Sequence, residues 1–257
     1  MKPSSENTVF VLVPGGFCPG SFYHKVTTIL QNGGYQVHEI DLPSVGKREG
    51  SPATMYDDAD HIRSVVSEFA DQGKNVVLCA NSYGGLVSTE AVKGTTKAER
   101  EANGKPGALV HVVFIGSLLA PVGMNAQELV GGKIPLDMKS KPDYIEPIDA
   151  EVAGAYLCSD LDDKATQKYY GSLQKPHSAV SFLGRLTHAG YLHVPTTVVV
   201  TERDVAISPD VQHKNVDTVI AEGKGNIRKV PMASDHCAMI SHPEEIVEIL
   251  LQTPPGE

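Results

Sequence analysis

The chain has 257 residues, with 22 Lys and Arg against 31 Asp and Glu and a formal net charge of −9 at pH 7. This length suits one large α/β domain, or a domain with a small insertion. The acidic excess argues against a nucleic-acid partner, whose phosphates require clustered Lys and Arg. Since no apolar run approaches the ~20 residues of a membrane-spanning helix, we expect no membrane partner either.

The N-terminus and the cysteines indicate the compartment. Residues 1–7 (MKPSSEN) lack the apolar core and the small-residue cleavage site of a secretory signal. Cys18, Cys79, Cys158 and Cys237 are widely scattered and form no C-x-x-C pair, which disfavours a zinc or redox motif. We therefore expect a cytoplasmic protein with reduced thiols and no metal. The sequence leaves open whether the chain forms a homodimer.

Strands and helices alternate through the first 120 residues. Continuous apolar, β-branched runs predict strands that are buried on both faces of a parallel sheet. These runs cover 8–13, 35–42, 75–80 and 109–115. Helical patterns follow the first three of these strands at 21–32, at 55–71 and from Gly84 onward. Residues 94–107 are polar and rich in glycine, and we interpret them as a surface loop.

The alternation stops at residue 121 and resumes after residue 190. Strands are predicted at 194–201 and 226–230, and helices at 208–221 and 243–251. Such alternation indicates an α/β fold with a mostly parallel, doubly wound sheet. We predict a core formed by 1–120 and 191–257, and a helical cap at 121–190 over the carboxyl edge of the sheet. Open α/β sheets bind ligands at that edge.

The strongest local signal is the hexapeptide ANSYGG at residues 80–85, which follows a predicted strand directly and opens a helix. A sharp strand-to-helix turn requires small residues two before and two after its centre, and it presents the central hydroxyl at the top of the sheet. Ala80 stands where such turns usually have glycine. The pattern predicts Ser82 as a nucleophile. The alternative interpretation is a serine N-cap followed by flexible glycines.

A nucleophilic serine requires a base and an acid, which in this kind of fold follow in the order serine, acid, histidine. His236 lies between the last predicted strand and the last helix, at the carboxyl edge, and is the predicted base. Asp204 lies in the loop after the preceding strand and is predicted to orient the imidazole. Glu202 is the alternative acid. Either of the two carboxylates could instead be a surface charge.

The other histidines after Ser82 are weaker candidates. His242 starts the last helix, where a capping or surface role is expected. His188 and His193 are five residues apart, a poor spacing for a metal pair on one helix face. The remaining ones are His111, His177 and His213.

Glycines follow the first strand as Pro14-Gly15-Gly16-Phe17. Backbone N–H groups here, together with that of Tyr83, are candidates for an oxyanion hole. The alternatives are a plain glycine turn, which any doubly wound fold can have after its first strand, and a dinucleotide-binding turn. The spacing G-G-x-x-x-G of Gly15, Gly16 and Gly20 departs from the G-x-G-x-x-G that a pyrophosphate requires, so we expect no such cofactor.

Five segments together resemble the small α/β-hydrolases, in particular the branch of plant methylesterases and hydroxynitrile lyases, with similar fungal hydrolases. The segments are FVLVPGGF, YQVHEIDLPSVG, NSYGG, TERDVAIS and SDHCAMISHPEEIVEIL. The resemblance covers nearly the whole chain and is loose over 121–190. It implies an α/β-hydrolase fold with a cap, the triad Ser82, Asp204 and His236, and oxyanion-hole amides at Gly16 and Tyr83.

Departures from the family pattern narrow the activity that the resemblance implies. Pro14 and Asn81 stand where the family usually has histidine, and the lyases have Lys at the position of Cys237 and Thr at that of Gly15. Without a cation for a leaving cyanide, esterase or lactonase activity on a small to medium apolar substrate is the better expectation. A serine-dependent C–C hydrolase, lyase or cyclase, or a binding protein without activity, remain alternatives.

Substrate-binding residues are predicted around the oxyanion hole and in the cap. Phe17 and Leu119 lie nearest to the predicted hole. The apolar cap residues could line a pocket or equally form the core of the cap. They are Met124, Leu129, Ile134, Met138, Tyr156, Leu157, Tyr169, Phe182 and Leu186.

Overall fold

The computed structural model describes residues 3–132, 143–221, 223 and 225–253. Ile134 and Met138, predicted as pocket residues, lie outside these described residues. The strands are β1 (Thr8–Val13), β2 (Gln36–Glu39), β3 (Asn75–Asn81), β4 (Ala108–Ile115), β5 (Tyr144–Ile145), β6 (His177–Ser178), β7 (Thr196–Thr201) and β8 (Ile227–Met232). The helices are α1 (His24–Asn32), α2 (Met55–Asp71), α3 (Tyr83–Ala91), α4 (Lys97–Ala102), α5 (Ala126–Leu129), α6 (Ala150–Leu157), α7 (Lys164–Ser172), α8 (Pro209–Ala221), α9 (Ala238–Ser241) and α10 (Pro243–Leu251). Short 3₁₀ helices cover Gly20–Tyr23, Ala179–Leu183 and Gly190–Leu192.

Six of the strands form one parallel sheet in the order β2-β1-β3-β4-β7-β8. The chain runs outward from β1 to β2, then crosses back and continues on the other side of β1 with β3. The loops that leave β1 and β3 therefore flank the point where the strand order reverses, which is where such sheets bind ligands. The predicted α/β fold class and its parallel sheet are confirmed.

Apolar residues cover both faces of the sheet, as the continuous apolar runs predict. In β1, Val9, Val11 and Val13 pack on the face that is covered by α2, α3 and α8. Phe10 and Leu12 pack on the opposite face with residues of α1 and α10. Because successive strand residues point to opposite faces, one buried run supplies two layers of core.

Helix α2 has the predicted bounds, and its capping explains why. Thr54 accepts from the Asp57 amide while the Asp57 carboxylate accepts from the Thr54 amide, which satisfies two amides that the first turn leaves without helical partners. Gly73 follows the helix with a φ of +81°, in the left-handed region. Glycine adopts this conformation at little cost and therefore commonly ends helices.

The interpretation of residues 94–107 as a surface loop was wrong, because they contain α4. A second capping box, formed by Thr96 and Glu99, starts this helix. Arg100 is buried, and its guanidinium donates to the carbonyl oxygens of Pro106 and Gly107 and to the Asp71 carboxylate. The polar composition concealed a T-x-x-E helix start.

The segment 121–190 lies between β4 and β7. Its described part contains α5, α6, α7 and the antiparallel pair β5–β6. Helices α6 and α7 cross closely, since a Cβ on Gly154 would lie 2.0 Å from the carbonyl oxygen of Gln167. Across the described parts of the chain, every helix falls short of the length and apolar character that crossing a membrane requires.

Candidate active site

Ser82 lies at a strained turn between β3 and α3. Its φ of 54° and ψ of −126° are unusual for a residue with a Cβ. A Cβ on Gly84 would lie only 2.4 Å from the Pro14 carbonyl oxygen, so the turn requires glycine where the helix passes the first strand. The Ser82 amide donates to the Ile115 carbonyl oxygen. The backbone thus has the conformation in which a serine hydroxyl stands above the sheet.

Asn81 ties this turn to the loop of the predicted base. Its side-chain Nδ2 donates to the carbonyl oxygen of Ile115 at 2.9 Å and to that of His236 at 3.1 Å. Asn81 is buried, so these bonds are shielded from water. The sequence identified Asn81 only as a departure from the family pattern, and this contact across 155 residues could not be inferred from it.

His236 and Asp204 form a buried pair in which the histidine Nδ1–H donates to Asp204 Oδ2 at 2.7 Å. Asp204 also accepts from the amides of Ala206 and Ile207, both at 2.8 Å, through Oδ1. With a hydrogen on Nδ1, the other ring nitrogen Nε2 keeps its lone pair. The structure therefore brings the predicted base and acid together in the tautomer that a general base requires.

Two further side chains hold Asp204 in place. Thr201 Oγ1 and Gln212 Nε2 each donate to Asp204 Oδ2 at 2.9 Å. Burial raises the pKa of Asp204, but the His236 imidazole, the Ile207 amide and Thr201 outweigh it and keep that pKa below its usual range. Burial lowers the pKa of His236, but the Asp204 carboxylate outweighs burial and raises it above its ordinary value.

Gly116, immediately after β4, makes room for this pair. Its φ is +51°, and a Cβ there would lie 2.9 Å from Thr201 Oγ1 and 3.2 Å from Asp204 Oδ2. A side chain at this position would displace the acid. Sequence reasoning missed this residue, although a glycine that ends a buried strand was a visible signal.

Asp160 joins the 121–190 segment to the loops that carry the acid and the base. Its carboxylate accepts from the Arg203 guanidinium at 2.6 Å, from the Asp235 amide at 3.0 Å and from His242 Nε2 at 2.8 Å. The Asp160 amide donates in return to the Asp235 carboxylate at 3.0 Å. Arg203 and Asp235 directly precede Asp204 and His236, so this cluster fixes both loops. It also explains His242, which is a structural partner of Asp160.

The two predicted oxyanion donors lie beside Ser82. Gly16 follows β1, and Tyr83 is the first residue of α3, where backbone amides lack acceptors within the helix. A Cβ on Gly15 would lie 3.6 Å from Ser82 Oγ, so the loop after β1 passes close to the hydroxyl. The Tyr83 hydroxyl is buried and donates to Asp58 Oδ2 at 2.7 Å.

The alternative candidates have other partners. Glu202, the rival acid, contacts His213 Nε2 at 3.0 Å and is partly exposed. His111 bonds Thr197 Oγ1 at 2.9 Å, and His188 and His193 stack with ring centroids 5.0 Å apart. Within the described ranges, no three His, Cys, Asp or Glu side chains are grouped so that they could hold a metal ion.

A cavity of about 300 Å³ brings Ser82 and His236 to one surface. Phe17 lines it, as predicted, but Leu119 is fully buried in the core and its neighbour Leu118 stands at the wall. The full lining comprises Gly16, Phe17, Ser82, Tyr83, Leu118, Val130, Ile145, Glu146, Pro147, Ile148, Ala153, Tyr156, Leu157, Gln174, Phe182, Ala206, Ile207 and His236.

The predicted pocket residues of the 121–190 segment divide into two groups. Tyr156, Leu157 and Phe182 line the cavity. The others that the structure describes do not: Met124, Leu129 and Leu186 pack in or against the core, and Tyr169 is exposed. Among the described lining residues, Glu146 and His236 are the acidic and basic side chains, and Glu146 pairs with Lys47 at 2.7 Å.

The parallel sheet, the strained serine after β3 and the Asp–His pair after β7 and β8 define the class of α/β-hydrolases. Residues 10–249 match the Alpha/beta hydrolase family, and the chain belongs to this family. The relatives named in the next paragraph confirm the predicted resemblance to small esterase-like members of the family.

The chain is similar to two curated proteins and to one solved structure that we name here. It is 30% identical to "Probable hydrolase R7" of Phoma sp. over 94% of this chain and 96% of that protein. It is 27% identical to Methylesterase 17 of Arabidopsis thaliana over 57% of this chain and 50% of that protein. The crystal structure of polyneuridine aldehyde esterase superposes with a TM-score of 0.71 at 19% identity, covering 95% of this chain and 98% of that one.

Proposed function

We propose that this protein is a serine hydrolase that cleaves a carboxylic ester or lactone of a small to medium apolar substrate through an acyl-enzyme. The observation that carries the proposal is the shared cavity of Ser82 and His236, with His236 bonded to Asp204 at 2.7 Å. Relatives and structural neighbours named as esterases support this choice of chemistry.

The reaction has two steps that use the same groups. Ser82 Oγ attacks the substrate carbonyl carbon while His236 Nε2 takes the hydroxyl proton, and Asp204 stabilises the resulting imidazolium. The negative oxygen of the tetrahedral intermediate accepts from the amides of Gly16 and Tyr83. The intermediate collapses as the C–O bond to the alcohol breaks and His236 protonates the leaving oxygen.

Water then releases the acyl group. His236 takes a proton from a water molecule that attacks the acyl carbonyl, and it returns that proton to Ser82 Oγ as the ester bond to the enzyme breaks. The same two amides hold the second oxyanion. These steps use side chains and amides of this chain throughout.

The cavity wall supports an apolar, uncharged substrate. Ile145, Ile148, Tyr156 and Leu157 supply apolar surface from the 121–190 segment, which acts in this proposal as the cap. Among the described lining residues there is no Lys or Arg to pair with a carboxylate on the substrate. A volume of about 300 Å³ lies at the lower end of the range for ligand pockets.

The test compares Ser82→Ala with Ser88→Ala, which changes a buried serine of the following helix α3. Turnover of p-nitrophenyl butyrate and of a γ- or δ-lactone should fall by at least about 10⁴-fold in Ser82→Ala and stay near wild type in Ser88→Ala. A fluorophosphonate should label the wild type on Ser82 alone. Retained turnover in Ser82→Ala would refute the serine mechanism. Labelling of Ser82 without turnover of any ester or lactone would refute the assigned substrate class.

A further inference from the structure

A buried histidine that the reaction does not use lies beside the oxyanion loop. His177, in β6 of the 121–190 segment, is fully buried. The amide of Phe17 donates to its Nδ1 at 2.9 Å, across 160 residues of sequence. Its other nitrogen, Nε2, lies 3.0 Å from Ser181 Oγ, whose hydroxyl donates to the Ser178 carbonyl oxygen at 2.8 Å.

These partners define the protonation of the ring. A backbone amide can only donate, so Nδ1 must present its lone pair to Phe17. The Ser181 proton is directed to Ser178, so the Ser181 oxygen accepts from Nε2–H. Burial lowers the pKa of His177 to about 3, and the ring therefore stays neutral in this tautomer at neutral pH.

Phe17 has a backbone conformation that needs such support. Its φ is 67°, in the left-handed region, which is unfavourable for a residue with a Cβ. Its amide is bound by His177 and its carbonyl oxygen accepts from the Lys175 amide at 2.8 Å. Both polar groups of this strained residue are thus held by residues 175–177, outside the loop itself.

The position of Phe17 limits the directions that the neighbouring Gly16 amide can take. A peptide unit is planar, so holding the Phe17 N–H fixes the plane that it shares with the Gly16 carbonyl group. Only φ and ψ of Gly16 then join this plane to the one that contains the Gly16 N–H. A Cβ on Gly16 would lie 3.2 Å from His177 Nδ1, and the imidazole also packs edge-on against Tyr83 with ring centroids 4.9 Å apart. One ring therefore contacts both residues whose amides form the oxyanion hole.

We propose that His177 is a positioning residue for the oxyanion hole, whose Nδ1 holds the Phe17 amide and thereby orients the Gly16 amide toward the reacting carbonyl oxygen. This inference rests on the proposed serine mechanism. It assigns to the cap a part in transition-state stabilisation in addition to lining the cavity. His177 itself touches neither substrate nor the reacting atoms.

Two substitutions separate the two nitrogens of the ring. In His177→Asn, the side-chain oxygen can occupy the place of Nδ1 and accept from the Phe17 amide. In His177→Gln, the longer side chain reaches the place of Nε2, keeps the contact with Ser181 and leaves the Phe17 amide without an acceptor. Both variants remove the imidazole, so a purely structural role predicts similar losses for the two.

The positioning role predicts a difference in kcat. We expect His177→Gln to lower kcat for p-nitrophenyl butyrate by about 10²–10³-fold, the effect of losing one oxyanion donor, with KM within about threefold of wild type. His177→Asn should keep kcat within about tenfold of wild type. Ser181→Ala, which removes only the partner of Nε2, should leave kcat nearly unchanged. The rate of fluorophosphonate labelling should follow kcat, since the phosphonyl oxygen occupies the same hole.

Thermal unfolding of each variant shows whether it is folded. If His177→Gln does not fold, His177→Met provides the same test, because it fills the space without an acceptor for the amide. Equal kcat losses in the Asn variant and the non-accepting variant, or losses confined to KM or to stability, would overturn the positioning role. An inactive Ser82→Ala would in that case leave the serine mechanism standing, whereas an active Ser82→Ala would overturn the mechanism itself.

Discussion

Two buried carboxylates contact residues of the candidate site, and they differ in the number of donors that surround them. Asp204 accepts from two backbone amides, from Thr201, from Gln212 and from the His236 imidazole. Asp58 accepts from the Ser44 amide at 2.8 Å and the Tyr83 hydroxyl at 2.7 Å. Both side chains are nearly inaccessible to solvent.

The pKa values of the two carboxyl groups are shifted in opposite directions. Burial raises the pKa of Asp58 to about 6, because Ser44 and Tyr83 offset only part of the desolvation. Burial acts in the same sense on Asp204, but its imidazole partner and additional donors outweigh it and lower the pKa. Burial therefore does not decide the charge of a carboxyl group by itself, since the surrounding donors can reverse the shift. The comparison predicts different consequences for each group.

The largest effect is expected from Asp204→Asn. The amide does not stabilise an imidazolium, and its NH₂ group favours the histidine tautomer with the proton on Nε2, so kcat should fall by about 10⁴-fold. Steady-state kinetics on p-nitrophenyl butyrate measure this loss. Glu202→Gln is the matched control, since the Glu202 carboxylate contacts His213 and its substitution should leave kcat within a few-fold of wild type. An Asp204→Asn variant with a tenth of wild-type kcat would contradict the assignment of the acid.

Asp58 should affect stability rather than rate, with a pH dependence of defined sign. Its folded pKa of about 6 lies above the unfolded value of 3.8, so between these values the folded chain retains a proton that the unfolded chain has released. The free energy of unfolding should therefore decrease as pH rises through this window, by about 1.4 kcal/mol per pH unit and roughly 3 kcal/mol in all. Asp58→Asn should remove this contribution, as urea unfolding at pH 4, 5, 6 and 7 would show.

The neighbouring Asp57→Asn is the control for that measurement. Asp57 is exposed and its backbone and side-chain hydrogen bonds to Thr54 lower its pKa, so the stability it contributes is lost as pH falls below about 4. From pH 4 to 7 the stability difference between Asp57→Asn and wild type should therefore stay nearly constant, whereas the difference for Asp58→Asn should change with pH. An Asp58→Asn variant whose stability follows the wild type in parallel from pH 4 to 7 would show that Asp58 has no raised pKa.

Tyr83→Phe should give a smaller loss of stability, by removing one of the donors to Asp58. The unfolding free energy should fall by about 1–3 kcal/mol, and the pKa of Asp58 should rise further, extending the pH-dependent loss above pH 6. Because the backbone amide of residue 83 is unchanged, kcat should fall by less than tenfold. Tyr191→Phe is the control, since this buried tyrosine donates to the Ala120 carbonyl oxygen and should not change the pH dependence. A loss of kcat beyond 100-fold in Tyr83→Phe would show that the phenol takes part in the reaction.

The comparison also shows what the sequence could predict. Each of Ser82, Asp204 and His236 follows a strand of one parallel sheet, and parallel strands end at the same edge, so their convergence follows from the chain order. Asp58 and His177 have no such signal. Their partners, Tyr83 and Phe17, are 25 and 160 residues away in sequence, and neither lies at the carboxyl end of a strand in that sheet.

Finer details of the site depended on geometry that a pattern does not specify. Leu118 lines the cavity and its neighbour Leu119 does not, although both side chains are buried. Helix α4 was missed because its apolar content is low, although the capping box of Thr96 and Glu99 was legible in the sequence. In both cases the sequence shows the residue types, but it does not show which side chain faces the cavity or that a polar segment forms a helix.

The smallest effect is expected from Thr201→Val. This substitution removes one hydrogen-bond donor from Asp204, so its carboxylate becomes more like that of Asp58, which has fewer donors. The Thr201 hydroxyl donates to the same Oδ2 atom that His236 binds. Its removal should therefore favour the imidazolium and raise the pKa of both Asp204 and His236. The general base must be neutral, and the acidic limb of kcat/KM should therefore move to higher pH. The movement should stay below one pH unit, because one unit equals about 1.4 kcal/mol, which is nearly the whole net value of a hydrogen bond. Thr196→Val is the control on the same strand, since Thr196 Oγ1 donates to the Val194 carbonyl oxygen. A shift to lower pH, or an equal shift in Thr196→Val, would show that donors to Asp204 do not set the basicity of His236.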